Sequence, residues 1–97
     1  MKTLDEITTI LKNHKEELKR NYNVKEIGVF GSFARREQKI KSDIDILVEF
    51  SETPDIFLLI DLEDHLRKLL HKRVELVRKS VIRPELKEEI LKETVYI

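Results

Sequence analysis

Apolar residues recur along this chain in two rhythms. Leu4, Ile7, Leu11 and Leu18 keep helical spacing with lysine and glutamate between them, which predicts an amphipathic helix over 4–20. Thr3 and Glu6 form a capping-box pattern at its start, and Asn21-Tyr22-Asn23 ends it. A second stripe, Ile56, Leu59, Leu62, Leu66, Leu69 and Leu70, predicts a long helix over 55–70. The other rhythm is extended: residues 24–31, 43–50 and 73–78 read as three strands, the second alternating with period two. A short helix over 32–37 starts directly at Gly31, a polar loop fills 38–42, and Ser51 to Pro54 make a turn. Pro84 opens a last helix through about Lys92, since proline suits a first turn, and Val95-Tyr96-Ile97 is a short apolar tail suited to an added strand.

This order of elements predicts one α/β or α+β domain over 1–97, a small sheet covered by helices. The helix over 55–70 permits a parallel crossover between the second and third strands, but the sequence does not fix strand directions.

Composition narrows the function. Hydrophobic residues at 40 % and charged residues at 39 % leave enough Leu, Ile and Val for a core and are not the makeup of a disordered chain. Nineteen Lys and Arg balance nineteen Asp and Glu. With no global positive field, a nucleic acid is disfavoured as a direct partner, although a local basic patch stays open. The absence of cysteine excludes a disulfide framework and a thiolate metal site. The first residues turn acidic at once, unlike a signal peptide, and no segment approaches the ~20 apolar residues of a membrane span. Cytoplasm is the expected compartment. His14, His65 and His71 lie on or beside predicted helices at spacings that suggest no metal site.

Aspartate is a poor strand former, yet Asp43 and Asp45 both stand in the second strand. Residues i and i+2 of a strand share a face, ~6.6 Å apart along the chain, so the two carboxylates project together while Ile44, Ile46 and Val48 turn to the core. Two close charges repel by about 4 kcal/mol at 4 Å in an effective dielectric of 20. A divalent cation between them reverses that sign, and hard oxygen ligands suit Mg²⁺. The plain alternative is a half-exposed strand with both groups in solvent.

Both glycines of this glycine-poor chain lie close together, at Gly28 and Gly31. Gly31-Ser32, at the end of an apolar strand and the start of a helix, would let main-chain amides and a hydroxyl approach a phosphate. Equally, Gly31 turns the chain and Ser32 caps the helix. No Walker-type lysine pattern or glycine triad is present.

Gly31-Ser32, ten residues, then Asp43-Ile44-Asp45, within the run 28–50, resembles the DNA polymerase β-like nucleotidyltransferase superfamily, and specifically its minimal prokaryotic members. Downstream, Val74-Glu75-Leu76-Val77 stands where that family carries a third acidic residue, usually aspartate. Glu75 is one methylene longer. Arg36 departs from the glycine that often follows the arginine matching Arg35. The resemblance implies a polymerase β-like fold and transfer of a nucleoside monophosphate to an acceptor hydroxyl with release of pyrophosphate. It implies two Mg²⁺ ions on Asp43, Asp45 and Glu75, ATP as substrate, and Gly31, Ser32 and Arg35 on the triphosphate, though Arg35 and Arg36 read alone also suit solvated surface charges. It implies an antitoxin that adenylylates a tyrosine of an HEPN-domain ribonuclease toxin. An antitoxin acting by binding alone, or transfer to a small molecule or an RNA end, are the alternative readings. Oligomeric state stays open.

Overall fold

The computed structural model describes residues 2–97. The amino-terminal stripe folds as two helices, α1 (Leu4–Asn13) and α2 (Lys15–Tyr22). The Thr3 hydroxyl accepts the Glu6 N–H at 3.3 Å, so the capping signal holds in one direction. The single helix expected over 4–20 breaks at His14, with φ −108° and ψ 7°. Its N–H is shared between the carbonyls of Ile10 and Leu11, each at 3.2 Å. No proline or glycine marks the break, and Leu4, Ile7 and Leu11 of α1 stay in one core with Leu18 of α2. The apolar stripe therefore passes straight through the kink and does not report it. Asn23 ends α2 in the left-handed region at φ 56°, which asparagine tolerates.

Four strands follow: β1 (Val24–Phe30), β2 (Ile44–Phe50), β3 (Val74–Arg78) and β4 (Val95–Tyr96). The sheet order is β3-β2-β1-β4. β1 runs antiparallel to β2 and to β4, and β2 runs parallel to β3. The crossover between the parallel pair is α4 (Ile56–Leu70), as its length allows. The short α3 (Gly31–Ala34) links β1 to the loop before β2, and α5 (Pro84–Glu93) leads into β4. This is the expected α+β class: a small mixed sheet flanked by helices.

One face of the sheet presents Ile27, Val29, Ile44, Ile46, Val48 and Val74 to the buried leucines of α1, α2 and α4, with Phe33 of α3 in the same cluster. The other face carries Phe30, Asp45 and Glu75 side by side in the register. That face is not wholly open, for Leu47 is also buried. Its pair partner Gly28 lies so close to the incoming β4 that a Cβ there would meet Thr94 Cγ2 at 2.6 Å. Glycine at 28 thus admits the C-terminal strand. Among the described residues no helix is long and apolar enough to cross a membrane.

The cap of α4 offers a test of local stability away from the carboxylates. Asp55 Oδ1 accepts the Leu58 N–H at 2.8 Å. Asp55→Ala is expected to lose about 1 kcal/mol, lowering the melting temperature by about 4–8 °C in calorimetry while leaving activity unchanged.

Candidate active site

The antiparallel pairing of β1 and β2 sets Phe30 opposite Asp45, so the turn after β1 falls beside that carboxylate. Gly31 there adopts φ 74°, and a Cβ at this position would lie 2.0 Å from Asp45 Oδ2. The backbone of the turn therefore rests directly against the Asp45 side chain, and glycine takes both the dihedral and the approach without strain. The parallel pairing of β2 and β3 sets Glu75 opposite Asp45 from the other side. Burial first, then the charge and hydrogen bond of Glu75, then Asp43, push the Asp45 carboxyl up to about 6, and Arg35 pulls it back down. Held this way, the ionised Asp45 carboxylate is repelled by both of its acidic neighbours.

Asp43 sits one residue before β2 rather than within it. Ile44 between the two aspartates is fully buried, so the intended alternation survives at the strand's mouth. The Asp43 carboxylate lies 3.8 Å from Arg73 Nε, whose side chain is 84 % exposed, a weak and easily exchanged pair. Glu75 is exposed, and neither Lys72 nor Arg73 engages it: Lys72 reaches the Ile40 carbonyl and Arg73 faces Asp43. Among the described residues no three acidic or histidine side chains are gathered as a complete metal cage. The donor set nonetheless fits a hard divalent ion: Asp45 and Glu75 are paired across neighbouring strands, and both Glu75 and Asp43 are close enough to raise the Asp45 carboxyl.

Ser32 does not cap α3, which has no side-chain cap hydrogen bond. Arg35 turns toward the same end of the sheet, with Nη1 3.1 Å from Glu93 Oε2 and Nε 3.2 Å from Glu37 Oε2. Arg36 points away to Asp5 at 3.1 Å and takes φ 58°, a conformation glycine enters without steric penalty. His14 and His65 both flank Glu17 at the α2–α4 boundary, away from these carboxylates. Glu93 is the residue the sequence reading missed: its Oε1 accepts the Gly31 N–H at 2.9 Å from 62 residues away. No local pattern encodes that contact; it depends on β4 pairing with β1.

Comparison with known proteins adds the following. The family model described as a nucleotidyltransferase domain matches residues 11–97. The chain is 48 % identical over 97 residues to the protein adenylyltransferase MntA of Thermococcus cleftensis, covering all of this chain and 98 % of the relative. It is 57 % identical over 82 residues to a provisionally named protein adenylyltransferase, MJ1215, of Methanocaldococcus jannaschii, covering 84 % and 95 % of the two chains. A solved structure provisionally described as a minimal nucleotidyltransferase superposes with a TM-score of 0.75 at 31 % identity, over 92 % of this chain and 93 % of the other. A chain of a solved toxin–antitoxin with AMP-PNP superposes with a TM-score of 0.71 at 26 % identity, over 88 % of this chain and 70 % of the other.

Proposed function

We propose, from the premise that the chain belongs to the nucleotidyltransferase domain family, that it transfers the adenylyl group of ATP to a tyrosine of a partner toxin and so acts as an antitoxin. The observation that carries this reading is the seating of Gly31 against Asp45 with Glu75 level on the next strand. The names of the adenylyltransferase relatives and the AMP-PNP-bound toxin–antitoxin support the choice of nucleotide and acceptor. The partner is an HEPN-type ribonuclease, as the resemblance of the sequence motifs implies.

In the reaction the tyrosine oxygen attacks the α-phosphorus of ATP. The bond from that phosphorus to the bridging oxygen breaks, and pyrophosphate leaves. Asp43, Asp45 and Glu75 are the residues that would hold two Mg²⁺ ions, which supply positive charge against the charge developing on the entering and leaving oxygens. Glu75, the exposed member of the pair, receives the proton of the attacking hydroxyl. Ser32 offers its hydroxyl and amide to the triphosphate, and Arg35 adds a charge-assisted donor. Gly31 contributes space rather than its N–H, which Glu93 already occupies.

An apolar groove of about 470 Å³ runs along the outer edge of the sheet between α4 and β3. It is lined by Ile56, Ile60, Leu76, Val77 and Val81, of which Ile56, Ile60 and Val81 are more than half exposed. The groove lies along β3, the strand that carries Glu75, and offers a toxin an apolar surface on that edge of the sheet. The test incubates the protein with the toxin, ATP and Mg²⁺ and measures the toxin's intact mass. One or more adenylyl groups on tyrosine, absent with EDTA, are expected. An unmodified toxin in a stable complex would refute transfer in favour of neutralisation by binding.

A further inference from the structure

We infer that Glu93 is a positioning residue for the nucleotide site, acting through Gly31 and Arg35; this rests on the nucleotidyl-transfer reading above. Glu93 is the last residue of α5, and β4, two residues on, pairs with β1 at Gly28 and Val29. The C-terminal segment therefore delivers this carboxylate to the end of β1, where the phosphate-binding turn begins. Its two oxygens divide their work. Oε1 accepts the Gly31 N–H at 2.9 Å, and Oε2 faces Arg35 Nη1 at 3.1 Å.

Both contacts bear on groups whose placement is critical. Gly31 holds a left-handed dihedral against Asp45, and no side chain caps the helix it begins. The Glu93 carboxylate is the tie that fixes its amide from outside the turn. Among the described residues Arg35 forms one other ion pair, with Glu37, whose side chain is 68 % exposed and lies two residues away. Glu93, at 27 % exposure, is the better-sheltered anchor and sets where the guanidinium lies. Freed from it, Arg35 would swing with Glu37, and Gly31 would lose the bond that holds its amide while it rests against Asp45. A displacement of ~1 Å at such a centre can reduce a rate ~100-fold.

The test is equilibrium binding of a non-hydrolysable ATP analogue with Mg²⁺ to the wild type, Glu93→Ala and Glu93→Gln, with the KM for ATP and for the toxin measured alongside. Glu93→Ala removes both contacts, and its Kd should rise about tenfold, the scale of one charge-assisted hydrogen bond. Glu93→Gln keeps an oxygen for the Gly31 amide but loses the charge opposite Arg35, so its Kd should rise by a smaller factor. The KM for ATP should follow the Kd while the KM for toxin stays unchanged. Lower thermal stability with an unchanged Kd would mark Glu93 as structural only and overturn the inference. Tighter binding would make Glu93 a competitor of the triphosphate and overturn it equally. Should Glu93→Ala fail to fold, the near-isosteric Glu93→Gln decides alone. If the wild type itself does not bind the analogue, the nucleotidyl-transfer reading fails, not merely this extension of it.

Discussion

Asp45→Asn is expected to make the metal-free protein more stable while abolishing transfer. The Asp45 carboxyl rises from an ordinary value of 3.8 to about 6 in the folded chain. Its native pKa thus lies above its unfolded one, and the native state binds more protons between those values. The group's favourable contribution is complete below about pH 4 and is lost as pH rises through about 6. At neutral pH the ionised carboxylate is a net burden on the fold. Two units correspond to ~3 kcal/mol before solvent screening. The group is only half-buried, so about 1 kcal/mol is the fairer figure, worth about 4–8 °C in melting temperature. Asparagine removes the charge at nearly constant shape. Its melting temperature at pH 7 should rise by that amount without metal, and the decline in stability between pH 4 and 6 should flatten. Transfer should fall by about a thousandfold, the equivalent of ~4 kcal/mol of lost charge stabilisation. A variant that is neither stabilised nor inactive would show that Asp45 is an ordinary strand residue.

Gly31→Ala is expected to damage fold and activity together. The position has φ 74°, and the new methyl carbon would lie 2.0 Å from Asp45 Oδ2 and 2.9 Å from Asp45 Cγ. The dihedral alone costs about 1–2 kcal/mol for a residue with a Cβ. The methyl group adds to it by forcing the Asp45 carboxyl group out of its present rotamer, away from its place beside the turn. A loss of about 2–3 kcal/mol is expected, seen as a melting temperature lower by at least about 8 °C. Transfer by the folded fraction should drop ~100-fold, since the turn and the carboxylate can no longer share their present spacing. The two substitutions move stability in opposite directions while both suppress chemistry. That contrast separates a catalytic defect from simple unfolding.

Much of this arrangement was legible in the chain. Helical spacing placed α4 and Pro84 placed α5 to within a residue or so, and apolar runs, alternating in the second, placed the strands, because a core this small leaves few other ways to bury Leu, Ile and Val. The interval from Gly31-Ser32 to Asp43-x-Asp45 was legible through its family resemblance, and the antiparallel pairing of β1 and β2 is the physical reason that spacing works. What escaped the sequence was set by distant contacts. The kink at His14 has no breaker residue, and the leucine stripe continues across it. Strict alternation put Leu47 on the carboxylate face, yet it is buried because that face is covered where β4 closes on Gly28. Asp43 was read inside the strand and lies just before it, facing Arg73. The Gly31 amide was read as a phosphate donor, but it is already bonded to Glu93, whose part depends on strand pairing at the far end of the chain.

The central claim is that one end of the sheet, formed by the turn after β1 and the carboxylates of β2 and β3, gathers divalent metal and nucleotide. The most direct measurement is a titration of ¹⁵N-labelled protein with ATP and Mn²⁺, read as paramagnetic broadening of backbone amides. The account predicts that broadening centres on Ser32, Asp45 and Glu75 and that Asp45→Asn removes it. Broadening centred instead on the polar groove at the opposite end of β2, among Ser51, Lys79, Ser80 and Lys87, would contradict it.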